Sequence, residues 1–270
     1  MHQPSTHRQV KELKRLARMN LTGHYKPMMS VFIFSYTIPL LLQLPFSYVI
    51  DLSAGISQEV ISYVVDFLIQ IIAAVLMIGS TGVHLKMARR QEHTAKDIFY
   101  PFRYNSNYFF LGAILLQVVY FMVWAPANAA LLTYLDADLL AMEVEDLAIL
   151  IGCWALSILL YLIVYLTCAL FYYVLLDHED MPLVGVFKTA AGLMKGNKLR
   201  LIRLLLSFLG MWILVLVSFG IGILWIQPYM QQAMAIFYLD AIGEELPYEN
   251  PPEDAAPSSN PYQNPTGFNA

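Results

Sequence analysis

The chain has 270 residues, 58% of them hydrophobic and 13% charged, with a formal net charge of −4 and a mean hydropathy of +0.56. Soluble domains carry about 25% charged and about 45–50% apolar residues, so this composition excludes an ordinary soluble globule and points to lipid. No nucleic-acid partner is expected, and the distribution of charge says more than its total.

Residues 1–26 form a polar, basic segment that precedes the first apolar run, Met28 to Ile50. A secretory signal begins with a short basic region and a 7–15-residue apolar core, so the longer run here reads as an uncleaved signal-anchor. Within the basic segment, residues 8–21 place Val10, Leu13, Leu16, Ala17 and Leu21 on one helical face. Arg8, Lys11, Lys14, Arg15 and Arg18 fall on the other. Two readings fit that pattern: a helix in the membrane interface with its cations towards anionic headgroups, or a helix packed on the protein's own cytoplasmic face.

Four long apolar stretches follow, 28–50, 60–85, 107–135 and 147–176. A helix needs about 20 apolar residues to cross the hydrocarbon core, and each stretch suffices. Pro39, Pro45 and Pro126 kink their helices, which neighbours tolerate by satisfying the freed backbone groups. Cys153 and Cys168 lie roughly 22 Å apart along one helix, beyond the reach of a disulfide, and read as two buried thiols.

The region Leu199 to Ile242 is too long for one crossing, and Gly220-Ile221-Gly222 offers a turn. Helix five is expected at 199–219 and helix six at 222–242, with Pro228 near its start. Gln227, Gln231, Gln232 and Asp240 depress its hydropathy, so helix six should face other helices. The alternative is five spans followed by an interfacial helix at 228–243. The fold class is therefore an all-α membrane protein, a polytopic bundle of six transmembrane helices or of five plus an interfacial one. Residues 27–243 form the transmembrane domain. The Pro- and Asn-rich acidic tail, 244–270, is expected to be disordered.

All sixteen Lys and Arg residues lie in 8–26, 86–103 and 188–203, while the loops 51–59 and 136–146 hold none. The second of these loops carries Asp136, Asp138, Glu143, Glu145 and Asp146. Short basic loops stay cytoplasmic, which orients the chain in a cell membrane with its amino terminus inside. With six spans the carboxy terminus is inside as well. An internal repeat supports six: three times a short amphipathic segment (16–32, 95–113 and 184–206) runs through a Gly/Asn turn into a spanning hairpin. Thr94 and Asp97 are expected to form a capping box in the second segment, and Asp180 to cap the third ahead of Pro182. The returning helices end alike, in GVHLKMAR (82–89), ALFYYVLLD (169–177) and AIFYLDAIG (235–243).

The carboxy-terminal third carries the Met194-Lys195-Gly196-Asn197-Lys198 turn, an SFLG run at 207–210, Gly220-Ile221-Gly222, Leu224-Trp225, Pro228-Tyr229 and Phe237-Tyr238. These elements resemble the bacterial integral-membrane family called domain of unknown function 975. The resemblance extends over nearly the whole chain and is specific around 194–240. In that family a Trp directly follows the SFLG-like run, whereas here Met211 intervenes before Trp212. The resemblance implies a multi-span protein, found mainly in Gram-positive bacteria, and supplies no catalytic residue and no cofactor.

Among candidate sites, Asp66 with Gln70 one turn below it is the best intramembrane polar pair, since buried acids in spans often mark ion or proton paths. Lys195, Lys198, Arg200 and Arg203 are the candidate contacts to anionic lipid headgroups. Asp177-His178-Glu179-Asp180 suits a span boundary better than a metal, and His84 and His93 read as interfacial residues. Gln43, Gln117, Asn128, Gln231 and Gln232 read as interhelical hydrogen-bonding residues. No GxSxG, HExxH, CxxC or P-loop occurs, and the Gly-Ile-Gly turn lacks the frame of a dinucleotide fingerprint. A non-enzymatic membrane scaffold, acting in assembly or stress through helix and lipid contacts, leads. A small-solute or ion transporter with a polar path near Asp66 is the alternative, and a protein partner or homo-oligomer fits either.

Overall fold

A computed structural model describes residues 8–49, 56–134 and 142–246 of the chain. The readings placed on Asp136, Asp138 and most of the tail fall outside the described residues. Among those described there are helices and no strand. They are α1 (Val10–Leu21), α2 (Tyr25–Val49), α3 (Ile56–Ala88), a 3₁₀ turn (Ala95–Phe99), α4 (Tyr100–Arg103), α5 (Ser106–Thr133) and α6 (Val144–Cys168). After these come α7 (Phe171–Asp177), α8 (Leu183–Met194), α9 (Lys198–Leu206), α10 (Leu209–Val217) and α11 (Ile223–Ile242).

Five helical stretches are long and apolar enough to cross a membrane: Tyr25–Phe46, Val60–Ala88, Ser106–Thr133, Val144–Asp177 and Lys198–Val217. The first four match the stretches read from hydropathy. The fourth joins α6 to α7 across a break at Ala169-Leu170, and the fifth joins α9 to α10 across a break at Ser207-Phe208. The expected helix six is present as α11 but is not among the five, because its glutamines and Asp240 lower its hydropathy. It is the most enclosed long helix, with eleven buried residues, and it packs on α1, α2, α3 and α10.

Exposure separates lipid-facing from inward helices. Along α6 only Ser157 and Leu166 are buried, while Ile149, Ile158 and Leu162 are exposed on its surface. From Leu147 onward that surface carries no charged side chain, as a hydrocarbon neighbour requires. Ser157 does local work at a proline: its Oγ accepts the N–H of Ala127, one residue past Pro126, at 3.1 Å. The 3₁₀ turn reaches α3 by a close approach at Gly79, where a Cβ would lie 1.9 Å from the carbonyl oxygen of Ile98. Only glycine allows that contact.

Several local readings are corrected. The apolar face of α1 is occupied by the protein itself: Leu13, Ala17 and Leu21 are fully buried, and α1 lies along α11. The packed alternative therefore holds over the headgroup-lying one. Thr94 and Asp97 form the capping box, with the Thr94 N–H donating to Asp97 Oδ2 at 2.8 Å. Asp180 does not cap α8, whose N-cap position is Pro182. His84 is fully buried rather than interfacial, because the polar face of α11 lies opposite it. Cys153 and Cys168 are free thiols, half-buried rather than buried.

Candidate functional site

Polar groups gather at two places, a cleft within the bundle and the end of the bundle that carries the Lys and Arg residues.

The cleft forms around Asp66. α3 carries Asp66 and Gln70 one helical turn apart, and both line a cavity of about 440 Å³. Asp66 is half-buried, and its Oδ1 accepts a hydrogen bond from Gln43 Nε2 of α2 at 2.6 Å. Gln117 of α5 reaches the same cavity and donates to the backbone carbonyl of Gln70 at 3.0 Å. The two polar residues predicted from sequence thus share one cleft, and Gln43 and Gln117 make the interhelical bonds expected of them. The same cavity has an aromatic wall. Tyr120 and Trp124 of α5 meet Tyr161 of α6 with ring centroids 5.6 and 5.9 Å apart, and Tyr161 stacks on Tyr165 at 5.9 Å. Sequence reasoning missed this wall, although the i,i+4 spacing of both pairs places each on one helix face.

A second groove of about 440 Å³ adjoins the cleft and is almost entirely apolar, lined by Val60, Val64, Leu68, Val118 and Leu132 among others. Tyr63, Phe67, Phe121 and Asn128 line both. Phe67 and Phe121 meet edge to face at 5.9 Å in the shared wall.

The basic end is organised by arginines. Arg89, just past α3, grips Asp177 at the end of α7 through two bonds of 2.7 Å. The same guanidinium holds Glu244, beyond α11, at 2.8 and 2.7 Å. These bonds, first to Asp177 and then to Glu244, raise the Arg89 pKa above its ordinary value. Tyr238 donates to Asp177 Oδ2 at 2.8 Å and stacks on Tyr173. The three segments that end alike in sequence therefore run to one guanidinium, Arg89 and Asp177 closing two of them and Glu244 lying one residue past the third. Glu244 lies outside the compared segments, so the sequence offered no pointer to it.

A second cluster surrounds Asp240, whose side chain is 4% exposed. Arg200 donates to Asp240 Oδ2, and Arg8 Nη1 approaches Oδ1 at 3.2 Å. Arg200 also reaches Asn197 Oδ1 at 2.9 Å and the Arg8 carbonyl at 3.2 Å, and lies over the Phe237 ring. The four cations read as headgroup contacts are thereby divided. Arg200 is spent on Asp240, and Lys198 donates to Thr167 Oγ1 at 2.9 Å, while Lys195 and Arg203 stay exposed. A polar seam joins α3 to α11: Ser80 donates to Gln231 at 2.9 Å, and His84 Nδ1 lies 2.9 Å from Gln232 Oε1.

The 177–180 run serves the same fastening. Glu179 accepts the Tyr100 hydroxyl at 2.8 Å, and the carbonyls of His178 and Met181 accept Tyr108. Burial, with the Glu179 carboxylate beside it, pushes the Tyr100 hydroxyl up to about 12. Among the described residues no three His, Cys, Asp or Glu side chains are grouped to hold a metal ion.

A family model described as "Protein of unknown function (DUF975)" matches residues 4–244. No curated protein and no solved structure matches the chain.

Proposed function

We propose that this chain, which belongs to the DUF975 family of proteins of unknown function, is a scaffold of a bacterial cell membrane that works through helix and lipid contacts and carries out no catalysis. Its basic end faces the cytoplasm, because cations in short loops are retained there. The α10–α11 hairpin is the third of three repeated units, α11 is the sixth crossing, and both termini lie inside. The meeting of α3, α7 and the end of α11 at Arg89 supports this, since three returning helices must then finish at one level.

The observation that carries the scaffold reading is that the least exposed arginines of the basic end, Arg8, Arg89 and Arg200, are paired with carboxylates at the ends of other helices. Arg89 with Asp177 and Glu244, and Arg200 and Arg8 with Asp240, fasten helix ends to one another, a structural use of charge. The surface left over is apolar helix on α2, α5, α6 and α10, suited to lipid and to other spans, with Lys195 and Arg203 placed to meet anionic headgroups.

The transporter reading is favoured by one feature, the Asp66 cleft. That cleft shares no lining residue with the cavity of about 180 Å³ beside Arg89 at the basic end, which weighs against a continuous path. Proteoliposomes with an entrapped pH dye separate the two. The scaffold reading predicts proton and potassium leaks equal to those of empty vesicles. A protein-dependent flux abolished by Asp66→Asn would contradict it.

A further inference from the structure

We infer that the Asp66 cleft and the adjoining apolar groove form one binding site for a single-chain cationic amphiphile, its quaternary ammonium head beside Asp66 and its hydrocarbon chain along the groove. Four observations converge on that chemistry. Asp66 lines a cavity to which no Lys or Arg contributes, so among the described residues the cleft holds an acid with no cation beside it. An acid within a span is costly and is normally paired. The cavity also has an aromatic lining: Tyr120, Trp124, Tyr161 and Tyr165 supply rings that attract a cation, and Trp does so best. An alkylated ammonium suits rings better than a hydrated metal ion, because it sheds little water on entering and needs no oxygen donors.

The third observation is unspent polarity. The hydroxyls of Tyr63, Tyr120, Tyr161 and Tyr165 and the Asn128 carboxamide form no hydrogen bond with another described residue, although they line the cleft. The fourth is the groove. It continues from the cleft through the shared wall of Phe67 and Phe121, is apolar along Val60, Val64, Leu68 and Leu132, and matches the cleft in volume. A small cation would fill the first cavity and leave the second unused, whereas an amphiphile uses both.

The test uses the full chain purified in dodecyl maltoside, with tritiated dodecyltrimethylammonium as probe in a scintillation-proximity assay. Saturable binding is expected. Tetramethylammonium and the neutral N,N-dimethyldodecanamide should each compete at least about tenfold less well than the unlabelled probe. Asp66→Asn should weaken binding about tenfold or more, and Trp124→Leu should weaken it measurably, both without change in elution volume or melting temperature. If Asp66→Asn does not fold, Trp124→Leu and the two competitors decide. Absence of saturable binding, competition by the amide or by tetramethylammonium equal to that of the probe, or unaltered affinity in the folded variants would overturn the assignment. None of these outcomes depends on whether ions leak through the protein.

Discussion

Asp240 sits where two arginines and the end of α11 meet, with 4% of its side chain exposed and Arg200 at 14%. Removing one partner of a buried pair leaves the other charge uncompensated, which typically costs about 3–5 kcal/mol. Asp240→Asn is therefore expected to lower stability by about that amount, read as the urea or thermal midpoint in detergent. Replacing Arg200 and Asp240 together with Met and Leu should restore much of the loss. An unchanged midpoint in the single variant would remove the structural role given to this pair. At this scale the sequence was partly legible. Asp66 and Gln70 could be paired because one helical turn separates them, and the glutamines of α11 announced an inward face. Arg200 looked like a headgroup contact because its partner lies forty positions away on another helix, and distance in sequence hides that pairing. Gly79 gave no signal either, since its contact is the backbone of a distant turn.

Among the elements, α1 shows where amphipathic pattern stops being decisive. Its charge and apolar faces suit an interfacial helix and a packed one equally, and only the presence of α11 opposite it selects packing. Lys14 donates to the Ser207 carbonyl at 2.8 Å, and Tyr229 donates to the Lys14 carbonyl at 3.1 Å, so the helix is fastened at Lys14 as well as by its buried face. Burial pushes the Lys14 ammonium below its ordinary value. Leu13→Ala and Leu16→Ala should each cost about 2–5 kcal/mol, the range for emptying a packed site. Limited trypsin digestion of the detergent-purified protein checks this: cleavage within residues 11–18 should accelerate in both variants. Protection equal to that of the wild type would mean that the packing on α11 does not hold α1 in place.

The breaks in the fourth and fifth spans were not legible, because Leu170 and Phe208 are ordinary apolar residues within apolar runs. The turn after α10 was legible. Gly220 adopts φ +89°, and Ser218 Oγ accepts the Gly222 N–H at 2.8 Å, so the turn satisfies its own donors.

For the whole molecule, hydropathy located four spans closely and placed the α10–α11 hairpin, and the charge map divided the chain into a basic and an acidic side. What hydropathy leaves open is α11, whose polar residues serve a buried seam with α3 and therefore read as weakness in a span. Arg89 joins the ends of α3 and α7 to Glu244 just past α11, and the proposed six-crossing arrangement rests on that meeting and on the repeat together. The most direct test is a paired alkaline phosphatase and green fluorescent protein fusion after Ala270, with fusions after Arg103 and Arg203 as cytoplasmic references. A fluorescent, phosphatase-negative fusion at Ala270, matching the references, is expected. Phosphatase activity without fluorescence at Ala270 would place the carboxy terminus outside and contradict the six-crossing arrangement.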